Sequence, residues 1–154
     1  MEEEEVKRRL DNALRMVADN DRHLLEFDLS ERCIASRLAL YLQNEFPEFS
    51  VDVEYNRDGA TPKRLGLPEG CANFNEDGEA LVVPDVIVHR RGHDGPNVLV
   101  LELKKTTNPE SRDCDRERVR ALREQLGYEF GALIECETRR GHQPGIAILE
   151  WLGE

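Results

Sequence analysis

A chain of 154 residues, 39% hydrophobic and 34% charged, has enough apolar material for one modest core. No apolar run nears the roughly 18 residues needed to cross a bilayer, and the acidic start MEEEEVKRRL lacks the basic-then-apolar order of a signal peptide. A net charge of −11 counts against tight, nonspecific binding of a polyanion, so a single cytoplasmic domain is the expectation.

In chain order, Val6, Leu10, Leu14 and Val17 recur at helical spacing and predict an amphipathic helix over 3–19. Its Glu-rich first turn suits the positive end of the helix dipole. The segment DLSERCIASRLALYLQNEFP predicts a second helix, capped by Ser30 or Asp28 and stopped by Pro47. Ile34, Leu38, Tyr41 and Leu42 form its inward stripe. SVDVEY then alternates Val51, Val53 and Tyr55 against Asp52 and Glu54, the pattern of a half-buried strand.

Residues 56–80 are rich in Gly, Pro, Asn and charge and show no apolar periodicity; a connection this long is usually functional or disordered. VVPDVIVH and NVLVLELK follow as two strands, joined by the hairpin-favouring RRGHDGP. SRDCDRERVRALREQLG predicts a helix with Val119, Leu122 and Leu126 inward and Gly127 as its C-terminal cap. YEFGALIECET and PGIAILEWL end the chain as strands. The order α, α, β, β, β, α, β, β predicts an α/β fold, a central mixed β-sheet flanked by helices.

Cys33, Cys71, Cys114 and Cys136 contain no CxxC pair, so neither a zinc knuckle nor a redox motif is indicated, and four reduced cysteines are expected. Cys33 has no evident base and reads as packing. His89 and His93 have helical ligand spacing but straddle a Gly-containing turn, which argues against a zinc site. No Walker loop, GxGxxG or GxSxG elbow is present.

Charge inside the two central strands is the feature that needs a cause, because a buried ion costs several kcal/mol unless it is paired or metal-bound. Period two places Val83, Asp85 and Ile87 on one face of the first strand, and Val98, Val100, Glu102 and Lys104 on one face of the second. Paired as a hairpin, the strands bring Asp85 to Glu102 and Lys104. Two carboxylates with a carbonyl such as that of Leu103 make a hard oxygen site suited to Mg²⁺ or Mn²⁺. Such an ion would polarise a phosphoryl oxygen and acidify bound water, with Lys104 orienting the water or stabilising charge. The plainer alternative is an Asp85–Lys104 ion pair at a strand end with Glu102 solvated, but two close carboxylates repel without a cation.

Pro84-Asp85 followed by Glu102-Leu103-Lys104, on neighbouring strands after a helix, resembles the signature of the PD-(D/E)XK nuclease superfamily. The resemblance covers roughly residues 28–152 and implies a restriction endonuclease-like core, α-β-β-β-α-β. Residues 1–27 would be an N-terminal helical extension of a single domain, 1–154. It implies Asp85 and Glu102 as metal ligands with the Leu103 carbonyl, Lys104 as catalytic lysine, and Glu31 as a further metal-holding or positioning glutamate. Mg²⁺ or Mn²⁺ would be the cofactor and nucleic acid, most readily DNA, the substrate. Tyr55 and Asn56 at the end of the first strand, and Arg116 and Gln125 on the later helix, are candidate substrate contacts. A chain this small would need a homodimer or a larger complex to cut two strands. The reading from a different class is a catalytically silent, acidic interaction or oligomerising protein with the same fold, supported by the charge of −11 and the acidic first helix.

Overall fold

The computed structural model describes residues 1–55, 83–92 and 95–153, and the backbone of two short strands at 64–65 and 80–81. Its elements are α1 (Glu3–Asn20), α2 (Arg22–Glu26), α3 (Glu31–Glu45), β1 (Ser50–Val53), β2 (Arg64–Leu65), β3 (Ala80–Leu81), β4 (Val86–His89), β5 (Leu99–Lys105), α4 (Arg112–Leu126), β6 (Phe130–Glu137) and β7 (Gly145–Leu152). Five strands form one mixed sheet in the order β1-β4-β5-β6-β7, while β2 and β3 pair separately. β5 and β6 are parallel and the other neighbours in the large sheet are antiparallel. Parallel neighbours need a crossover, and α4 supplies it.

Strand alternation divides the core into two layers. Val86, Val88, Leu99, Leu101, Leu103, Phe130, Ala132 and Ile134 pack with α1 and α3. Ile87, Val100 and Leu133 face Val119 and Leu122 of α4. Each aliphatic side chain taken fully from water in these layers contributes roughly 1.5–3 kcal/mol. α1 is no loose extension, since Val6, Leu10, Ala13, Leu14 and Val17 all join the first layer.

Local chemistry sets the element ends. Ser30 Oγ accepts the Cys33 N–H at 3.1 Å, capping α3. Gly127, with φ 71°, takes the left-handed conformation that closes α4. The first hairpin strand begins at Val86 rather than Val82, because Pro84 has no N–H to give a ladder. β1 alternates only as far as Val53, which is 37% exposed instead of buried. Glu54 adopts φ 49°, and Tyr55 beyond it packs with the α4 layer. The short ladder of β2 with β3 lies within and at the end of the long 56–80 connection.

Cys33 and Cys136 are free thiols, Cys33 half-exposed rather than in the core, whereas Cys114 is disulfide-bonded, against the expectation of four reduced cysteines. Among the described residues no helix is long and apolar enough to cross a membrane.

Candidate functional site

The antiparallel register pairs Val86 with Leu101, so Asp85, one residue earlier, comes level with Glu102. Glu102 and Lys104 are 5% and 6% exposed, on the face of β5 that α4 covers. The Leu103 N–H donates to Asp85 Oδ2 at 2.7 Å. In an extended strand a residue's N–H and C=O point to the same neighbour, so the Leu103 carbonyl also faces the β4 side.

Asp85 and Glu102 are close enough for each to act on the other's ionisation. Burial raises both pKa values; for Glu102 the rise is large and the neighbouring Asp85 adds to it, while the Leu103 N–H opposes the rise at Asp85. Glu102 Oε1 is buried with no hydrogen-bond partner, and Arg118 Nε stands 4.0 Å from it.

Lys104 has its own partners. Its Nζ lies 3.1 Å from Asp115 Oδ2 and 3.3 Å from Glu110 Oε2. Burial acts to lower the pKa of the Lys104 ammonium, but Asp115, Glu31 and Glu110 together outweigh it and the pKa is raised. Asp115, on α4, is 3% exposed and also pairs with Arg118. The expected ion pair of Asp85 with Lys104 is therefore not the one formed, and Glu102 is buried rather than solvated.

Glu31 begins α3. Its Oε2 accepts the Lys105 N–H at 2.8 Å and lies 3.3 Å from Asn108 Nδ2. Its charge is felt at both Asp85 and Lys104, raising their pKa values. Asp85, Glu102, Leu103 and Lys104 thus gather at one end of the sheet, with Glu31 approaching from the α3 side.

Among the described residues, the expected substrate contacts have other neighbours. Tyr55 packs edge-on against His89, with ring centroids 4.6 Å apart. Arg116 is held by Glu150 on β7 at 2.6 Å and by Asp113 at 2.8 Å. Gln125 lies ten residues beyond Asp115 on α4, about 15 Å along the helix axis. Asn56 falls outside the described residues. Other cations in the second half of the chain are also occupied: Arg91 by Asp52, Arg120 by Glu117, and Arg112 by the carbonyls of Lys105, Asn108 and Glu110.

Asp115 is the site residue that the sequence reading passed over. It stands one turn before Val119 on the stripe that continues to Leu122, so its inward position was available from helical spacing alone.

Among the described residues no three His, Cys, Asp or Glu side chains are placed together as a ready metal-holding group. The donors at Asp85 and Glu102 nevertheless suit a hard cation. Two carboxyl groups lie side by side, one buried oxygen lacks a hydrogen-bond partner, and a strand carbonyl faces the same side. Compared with protein-family models, curated proteins and solved structures, the chain matches none.

Proposed function

We propose that this protein is a metal-dependent phosphodiester hydrolase, a nuclease of the PD-(D/E)XK type acting on DNA. The observation that carries the reading is the buried Glu102 Oε1, without a hydrogen-bond partner, on a carboxyl group that the strand register brings level with that of Asp85. A buried polar atom left unsatisfied costs about 1–3 kcal/mol, and a cation between the two groups would remove that cost. The order α3, β1, β4, β5, α4, β6 agrees with a restriction endonuclease-like α-β-β-β-α-β core.

In this reading Asp85, Glu102 and the Leu103 carbonyl hold Mg²⁺ or Mn²⁺, and Glu31 steadies the Lys105 end of β5. The ion supplies a polarised phosphoryl oxygen and an acidified water. Lys104, kept charged by Asp115, places an ammonium beside the scissile phosphate, where it stabilises the charge that develops in the transition state. The work would be done in the cytoplasm, with a second copy or a larger assembly needed to cut both strands. The disulfide at Cys114 weighs against a reducing compartment, and the free thiols of Cys33 and Cys136 weigh for one.

A catalytically silent interaction protein is the second reading. The Lys104–Asp115 pair favours it, because it neutralises the lysine without any ligand. Incubating single-stranded and duplex DNA with the protein in Mg²⁺, Mn²⁺ or EDTA separates the two. Cleavage that requires the metal and disappears in Asp85→Asn and Lys104→Ala, with both variants still folded, is the expected result. Equal activity in both variants, or no cleavage in either metal, would sink the nuclease reading.

A further inference from the structure

A cleft of about 830 Å³ opens next to this site, between the α2–α3 connection and the turn joining β6 to β7. Thr107 and Thr138 line it, their hydroxyl oxygens 3.3 Å apart. Phe27 stands at its wall, 63% exposed and tilted against His23 with ring centroids 4.4 Å apart. A phenylalanine this open costs the free protein apolar exposure without packing in return.

The charges around the cleft are unequal in what they leave over. Arg22 is paired with Glu26 at 3.8 Å. Asp28 accepts from the Thr107 hydroxyl at 2.9 Å and lies 3.1 Å from Lys105 Nζ. Arg139 is clasped by Glu137. Arg140 is exposed and has no ion-pair partner among the described residues, and His142 beside it is 51% exposed. A chain of net charge −11 therefore presents, at this one cleft, an open aromatic ring and an uncommitted guanidinium.

The cleft is tied to the site by β5. Lys105 binds Glu31 through its N–H and Asp28 through its ammonium, and Lys104 precedes it. Thr107 is three residues beyond Lys104, so their Cα atoms are at most about 11 Å apart. That is about three stacked nucleotides at 3.4 Å each.

We propose that this cleft seats a single-stranded DNA end, with a base stacked on Phe27 and a backbone phosphate on Arg140. The inference rests on the nuclease reading of the Asp85 site and adds its substrate form. Stacking on an aromatic ring accepts any base, and a guanidinium beside it holds the phosphate without reading sequence. Duplex DNA cannot use the ring, because its bases are already stacked on one another.

The test is fluorescence anisotropy with a fluorescein-labelled oligothymidine and a labelled duplex of equal length, in EDTA so that nothing is cut. The full-length protein should bind the single strand more tightly than the duplex. Phe27→Ala should weaken single-strand binding about 5- to 100-fold. Arg140→Ala should weaken it and reduce the slope of log affinity against log salt by about 0.7, the share of one phosphate. Both positions are exposed, so thermal melts of the variants should match the parent. No single-strand binding, a preference for duplex, or unchanged affinity in both variants would overturn the proposal. Parallel cleavage assays in Mg²⁺ keep the two readings apart. Binding that depends on Phe27 and Arg140 without cleavage would remove the nuclease and leave the cleft. Cleavage and binding indifferent to both residues would remove the cleft and leave the nuclease.

Discussion

Lys104 Nζ and Asp115 Oδ2 are 3.1 Å apart in side chains only 8% and 4% exposed, so a strand and the crossover helix beside it are joined by a buried ion pair. Removing one member of such a pair strands the other's charge, which costs roughly 3–5 kcal/mol. Asp115→Asn should therefore lower stability in urea denaturation, by less than that full cost because Glu110 still pairs with Lys104. Replacing both partners, as Lys104→Met with Asp115→Leu, should cost less than the two single losses together by roughly 0.5–3 kcal/mol. Additive losses would mean that the two side chains do not act as a pair.

The same helix approaches the sheet closely at Gly131. A Cβ there would overlap Val119 Cγ1, a β-branched side chain with little freedom to move. Gly131→Ala should destabilise the fold by roughly 1–3 kcal/mol, the usual range for overpacking. Adding Val119→Ala should restore part of the loss. Thermal melts of the single and double variants measure this, and an unaltered single variant would show that α4 can withdraw from β6.

Much of this was legible because burial leaves a period. Val6 to Val17 and Ile34 to Leu42 repeat at helical spacing, and Val86 to His89 and Leu99 to Lys105 are apolar runs of strand length, so the main elements appear where the sequence places them. The convergence of Asp85 with Glu102 followed from the same alternation. What was missed depends on single residues rather than on period. The turn at Glu54 exposes Val53, and nothing in SVDVEY marks a positive φ at a glutamate. Asp115 drew no notice among the charged residues around it, although its phase matches Val119. The alternative pairing of Lys104 with Asp85 therefore overlooked the acid on the helix above.

On β1, Asp52 accepts from His89 Nε2 at 2.7 Å and from Arg91 Nε at 2.9 Å. Burial acts to raise the Asp52 pKa, but Arg91 and His89 outweigh it and hold the carboxyl below its ordinary 3.8. A folded pKa below the unfolded one stabilises the protein above pH 3.8, and that contribution is lost as pH falls through the folded value. Asp52→Asn should cost roughly 1.5–3 kcal/mol at neutral pH, the worth of charged hydrogen bonds. The gap from the parent should close on acidification. Urea midpoints at pH 7 and in strong acid check this, and a gap independent of pH would place the effect in packing.

Glu102 has the opposite sign. Its folded pKa lies well above the ordinary 4.5, so its contribution to stability is fully present below pH 4.5 and is lost as pH rises through the folded value. In EDTA the melting temperature of the parent should therefore decline as pH rises above 4.5, relative to a Glu102→Gln variant that carries no such charge. At pH 8 the variant should be the more stable of the two. A divalent cation favours the ionised carboxylates, so Mg²⁺ should reverse this ranking. At a hundredfold excess over its dissociation constant it should add about 2.7 kcal/mol to the parent. Glu102→Gln should gain much less, and Asp85→Asn likewise. Melts across pH 5 to 8, each with EDTA and with Mg²⁺, decide the matter. A parent whose pH profile matches the variant's would mean that Glu102 is not held protonated, and a parent indifferent to Mg²⁺ at pH 8 would mean that the paired carboxyl groups do not hold a cation.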